Sequence, residues 1–148
     1  GRKDECSAYL THMARATQSG DAAQYTMFLQ ADALEHLRAH FLHIVMRSIQ
    51  LRTLDVPFLH LGQARMVSSY SPCKRAIFKQ VLGREQQGAA SGYCCAQFLA
   101  RRDMLLAPGA QTWARALQAM DDPMPAGCDS VRLGTGMHCL VFESIWHV

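Results

Sequence analysis

The sequence predicts a single α/β domain with a sheet covered by helices on its faces. Three observations carry that expectation. Segments rich in strand formers alternate with segments of helical periodicity along the chain. Its 148 residues fall within the range of one domain, taken as 1–148. Hydrophobic residues make up 49% and charged residues 18%, a balance that fits a packed core and excludes a disordered chain.

Residues 5–18 hold Tyr9, Leu10, Met13 and Ala16 at helical spacing, with Gly20 as a stop. Residues 25–30 (YTMFLQ) are short, apolar and rich in strand formers, and read as a buried strand. Residues 33–53 read as one long amphipathic helix with Leu34, Leu37, Phe41, Ile44, Val45, Ile49 and Leu51 close to one face. VPFLHLG, at 56–62, reads as a short strand or loop against the core. After the turn signal Ser71-Pro72, residues 73–82 form a short helix closed by Gly83, and 86–92 form a flexible loop. Residues 93–109 read as a strand leading into a helical turn, and 110–120 as a helix. A Pro/Gly loop follows at 121–136, and 138–148 fit helix better than strand.

Several function classes are excluded by composition. No apolar run approaches the ~20 residues of a membrane span. The net charge of +3 is mild and the basic residues are dispersed; with a pI of 8.6, the chain lacks the dense basic stripe of a nucleic-acid binder. The charged opening Gly1-Arg2-Lys3-Asp4-Glu5 is unlike a secretory signal. It reads as mid-domain sequence, so an upstream segment is expected.

Six cysteines are even in number but not spaced like a disulfide-dense miniprotein. Cys128 and Cys139 flank a Gly-rich loop and would pair in an oxidising compartment; otherwise the cysteines read as free, buried thiols. Cys94, Cys95, Cys128, His138 and Cys139 offer groups that zinc takes, yet form no C-x₂₋₄-C pair. Cys73 as a nucleophile has no particular histidine to activate it. The compartment is left open, with the secretory-pathway lumen or an organelle expected ahead of the cytosol.

YCCAQF (93–98) and the closing Glu143-x-x-Trp146-His147 resemble a eukaryotic family of unknown function, common in fungi and algae. Further similar pieces are Gly1-Arg2 with Ala8-Tyr9-Leu10, FLQAD (28–32), SPCKR (71–75), and Arg102 before a Pro108 turn. That family is itself similar to metal-dependent glycosyltransferases. The resemblance implies a single Rossmann-like, glycosyltransferase-A-like sheet flanked by helices, here shortened at its N-terminus. It also implies sugar transfer from a nucleotide donor, with Mn²⁺ or Mg²⁺ on the diphosphate.

Within that reading Asp32 follows a strand end, where ligands collect in open α/β sheets, and would hold the metal with His147. The same aspartate suits a helix N-cap, and Gln30 stands where a DxD motif has its first aspartate. Glu143 would act as general base, on the same helix face as His147 four residues on, or the two would form a surface pair. Gln97 and Arg102 would shape the substrate pocket. His36, His40 and His43 punctuate one helix and read as surface residues. The alternative is a non-catalytic accessory or structural subunit of a larger, organellar assembly, with protein partners in place of a nucleotide sugar.

Overall fold

The computed structural model describes residues 5–68, 72–85, 90–93, 95–123, 125, 126, 128, 139, 142 and 146. Helix α1 (Glu5–Ser19) leads into strand β1 (Tyr25–Phe28), a single turn α2 (Ala33–His36) and helix α3 (Ala39–Gln50). Strands β2 (Phe58–His60) and β3 (Arg65–Ser68) precede helix α4 (Pro72–Leu82) and strand β4 (Ala90–Tyr93). Strand β5 (Phe98–Arg101) runs directly into α5 (Arg102–Leu106), and α6 (Ala110–Asp121) follows.

The sheet overturns the Rossmann-like expectation. Its three strands lie in the order β1-β5-β2, and β5 is antiparallel to both neighbours. A separate antiparallel pair joins β3 to β4, so that 90–92 of the flexible loop expected over 86–92 are strand, and 86–89 lie outside the described residues. A glycosyltransferase-A-like sheet is parallel in its nucleotide-binding half; here each paired strand runs against its partner. Apolar runs such as YTMF and FLAR are compatible with either direction, since both faces of this sheet are covered.

Alternation along β5 divides the interior into two cores. Phe98 and Ala100 face α1, α4, α5 and α6 together with Phe28 and Phe58. Leu99 faces α3 with Met27, Leu59 and Val45. Aromatic rings stack across the first face, Phe28 on Phe98 at 4.7 Å and Phe58 on Phe98 at 5.2 Å. The Tyr25 hydroxyl donates to the Leu54 carbonyl at 2.9 Å, fastening β1 to the loop before β2.

The long helix expected over 33–53 is broken. Leu37 is extended (φ −132°, ψ 157°) and 2% exposed, so the chain leaves helical geometry to drive this side chain into the second core. Leu34, expected on the buried face, is 68% exposed as a result. Helix α4 ends as expected: Gly83 takes φ +70° and its N–H donates to the Lys79 carbonyl. Of the closing segment, the described residues show one helical bond, Trp146 N–H to the Phe142 carbonyl.

The cysteines also differ from expectation. Cys6 bonds to Cys139 and Cys73 to Cys128, and Cys95 is oxidised too. The Cys128–Cys139 pairing is therefore corrected, and no described cysteine is a free thiol. Oxidised sulfurs cannot serve as thiolate ligands or nucleophiles, which removes both the zinc set and Cys73. Peptide mapping without reductant is expected to recover both cross-links. Replacing Cys73 and Cys128 by serine should cost about 2–4 kcal/mol, a Tm fall of roughly 5–15 °C by calorimetry.

Candidate functional site

At the Phe28 end of the sheet the chain leaves β1 through Leu29 and Gln30 and turns at once. The Ala33 N–H donates to the Gln30 carbonyl and the Glu35 N–H to the Asp32 carbonyl, which winds α2. Asp32 occupies the N-cap position of α2, but its side chain makes no capping hydrogen bond. Its Oδ2 instead lies 3.5 Å from Nε2 of His36, one turn away. Glu35 completes the group: one ligand atom from each of Asp32, Glu35 and His36 falls within 4.8 Å of the others. Both carboxylates are exposed and the imidazole is half-buried. Among the described residues no lysine or arginine pairs with either carboxylate.

Gln97 immediately precedes the central strand β5 beside this turn. It is 2% exposed, its Nε2 donates to the Ala33 carbonyl at 3.4 Å, and its own carbonyl accepts from Leu61 N–H at 2.9 Å. Its Oε1 is buried with no hydrogen-bond partner among the described residues. Leaving such an acceptor unpaired costs about 1–3 kcal/mol. The backbone just before it is strained: Cys95 and Ala96 have φ of +79° and +44°. Non-glycine residues held in this region cost roughly 1–3 kcal/mol each and cluster at functional sites. A cavity also opens nearby along β2, lined by Arg38, His60, Gln63 and Tyr93 among others. Its polar rim is held by Arg38 Nε donating to Gln63 Oε1 at 3.2 Å.

The structure thus brings together Asp32 and Gln97, both read from the sequence, through α2. It places Arg102 just past the other end of β5, roughly 17 Å from Gln97 along an extended chain, with its guanidinium donating to the Gly20 carbonyl. Glu143 and His147 lie outside the described residues. His40 and His43 are exposed on α3. Glu35 and His36 were missed, although the signal was present: Asp32 and His36 stand four residues apart. A second grouping, Glu5 with Cys6 and Cys139, is no metal site because its sulfurs are bonded to each other.

At the C-terminal end of β5 a charge network centres on Arg101. Arg101 Nη1 donates to Asp55 at 2.7 Å, and its Nε and Nη2 form a fork on Asp103 at 2.8 Å. The Arg101 hydrogen bonds, helped by backbone N–H groups at the start of α5, hold the Asp103 carboxyl down at about 2. The same hydrogen bonds raise the guanidinium above its ordinary value.

None of the protein-family models, curated proteins or solved structures compared with the chain matches it.

A carboxylate with a depressed folded pKa contributes stability above its unfolded pKa and loses it as pH falls through the folded one. The Asp103 contribution is thus expected in full above roughly pH 4 and gone near pH 2. Thermal melts of wild type and Asp103→Asn should differ at neutral pH and converge in acid, with the gap shrinking in high salt.

Proposed function

We propose that this chain is a divalent-cation-binding sugar-transfer domain that acts on a nucleotide-sugar donor, with its site at the Phe28 end of the sheet. The observation that carries the reading is the Asp32, Glu35 and His36 group, whose ligand atoms lie within 4.8 Å of one another on one turn after a strand end. Ligands on one metal stand roughly 3–4.3 Å apart at bond lengths of about 2.1 Å, so small rotamer adjustments close the set. Two oxygens and an imidazole nitrogen suit Mn²⁺ better than Mg²⁺, which prefers oxygen alone. Three ligands on one side leave positions open to a diphosphate. A cation there supplies charge stabilisation for the departing nucleotide diphosphate.

The remaining roles belong to the chain's own residues. Gln97 holds α2 against β5 through its Nε2, and its buried Oε1, without a partner among the described residues, is assigned to a donor hydroxyl. Glu143 is assigned as general base on the acceptor hydroxyl and His147 as a further ligand, both from the motif resemblance. Arg102 belongs to the opposite end of β5 and has no part in this pocket. The two disulfides support placement in an oxidising compartment such as the secretory-pathway lumen.

A second reading is an accessory subunit without chemistry. It is favoured by apolar side chains facing solvent on α2 and α3, with Leu34 68%, Ile44 47% and Leu51 55% exposed.

Mn²⁺ titration followed by electron paramagnetic resonance, together with thermal unfolding over a nucleotide-sugar panel, separates the two readings. Wild type is expected to take up Mn²⁺, and Asp32→Asn with His36→Gln to lose at least ten-fold in affinity. One nucleotide sugar at ~100 times its Kd should add about 2.7 kcal/mol, a shift of several degrees, in Mn²⁺ but not in EDTA. Glu143→Ala should abolish turnover while the Mn²⁺-dependent shift persists. Absence of any Mn²⁺ uptake by folded protein overturns the transfer reading and leaves the accessory one.

A further inference from the structure

Between the Phe98 face of the sheet and helices α4, α5 and α6 lies another cavity, of about 350 Å³, to which Asp32, Glu35 and His36 contribute nothing. Its size is at the small end of ligand pockets, roughly 300–1,000 Å³. One wall is a run of adjacent aromatic rings, one pair stacked and one tilted. Phe58 and Phe98 are 5.2 Å apart at 22°, and Phe98 and Trp146 are 5.4 Å apart at 34°. Trp113 lines it as well, with its indole N–H already committed to the Leu105 carbonyl at 3.1 Å.

Besides Thr112, whose hydroxyl accepts from Arg115, two polar features bear on this apolar lining. The Trp146 indole N–H is buried with no hydrogen-bond partner among the described residues. A buried donor in that state costs about 1–3 kcal/mol, and a ligand oxygen would satisfy it. Arg84 is an exposed part of the lining, and its guanidinium rests on the Phe78 ring at 5.5 Å. It forms no ion pair among the described residues, so its charge is uncompensated.

We infer that this cavity binds a small aromatic carboxylate. The ring extends the stack formed by Phe58, Phe98 and Trp146, Arg84 holds the carboxylate, and the Trp146 N–H donates to a ligand oxygen. An offset ring at stacking distance gains about 0.5–1.5 kcal/mol beyond its buried area, which selects a planar body over an aliphatic one. Charge complementarity at Arg84 selects an anion over a neutral amide or alcohol. The inference is independent of the cation site at the Phe28 end.

The chain's two tryptophans, Trp113 and Trp146, both line the cavity, so intrinsic fluorescence reports its occupancy directly. The probe is 3-phenylpropanoate, compared with 3-phenylpropanamide and hexanoate, using the oxidised chain and excitation where the probe does not absorb. A saturable change is expected with 3-phenylpropanoate. Binding should weaken about ten-fold for the amide, for hexanoate and for Arg84→Gln, the scale of one lost charge-assisted or stacking contact. Ala107→Trp, an exposed change in the lining, should block binding while circular dichroism stays native. No saturable change in folded wild type overturns the inference. So does equal binding of amide and carboxylate, undiminished binding by Arg84→Gln or Ala107→Trp, or hexanoate binding as tightly as the aromatic acid.

Discussion

The structure depends on one strand. Within the described sheet β5 is paired on both edges, and its side chains alternate between the two cores. A slip of one residue against β1 or β2 would turn Leu99 toward the aromatic face and put Phe98 and Ala100 against α3. Both cores would then be lost together, so the register is fixed by burial from two directions. Burial also fixes the ends of the strand: Gln97 cannot move relative to α2 without moving Phe98 out of its stack, and Arg101 cannot leave Asp55 and Asp103 without dragging Ala100.

The two ends of β5 are built differently. At the Arg101 end the Arg101 guanidinium meets two carboxylates, with a fork on Asp103 and a further bond to Asp55, and Arg102 donates to the Gly20 carbonyl. At the Gln97 end two carboxylates lie beside an imidazole, a buried side-chain carbonyl oxygen has no partner among the described residues, and the turn before the strand carries two residues of positive φ. Strain and unpaired polar groups are unfavourable for folding alone, and they persist because the strand register and the packing around Leu37, Leu61 and Leu99 hold them. This asymmetry, more than any single residue, separates the candidate site from the rest of the molecule.

Local elements were legible because they follow from short-range chemistry. The periodicity of α1 and α6, the Pro72 start and Gly83 stop of α4, and the apolar run of β1 appear where the pattern places them, whereas the strand read from residue 93 onward is divided between β4 and β5 by a turn at Cys95 and Ala96. Strand direction was not legible, since a run such as FLAR reads the same in a parallel or an antiparallel sheet when both faces are buried. The break at Leu37 was hidden for a related reason. A helix over 33–53 satisfies the local pattern, and only the position of the second core shows that Leu37 must leave it. The site was only partly legible: Asp32 was read from a strand end and Gln97 from the motif resemblance, while His36 was read as a surface residue of one long helix. The cysteine pairing was beyond reach, because six cysteines allow 15 connectivities.

The cross-links then decide which parts of the fold belong together. Cys6 and Cys139 are 133 residues apart in sequence, and both are buried in the first core. Phe142 follows Cys139 by three residues, and Trp146 stacks on Phe142 at 5.3 Å. The bond therefore anchors to α1 the stretch that supplies the Phe142 and Trp146 wall of the aromatic cavity. Cys73 and Cys128 likewise tie α4, which borders that cavity through Val81 and Leu82, to the chain beyond α6. Reduction would return both walls to noncovalent contacts alone, and the entropy of ordering the closing segment would weigh against them. The cavity's shape is thus coupled to the oxidation of cysteines that do not line it, whereas the Asp32 turn is held by β1, β5 and the second core, which contains neither cross-link.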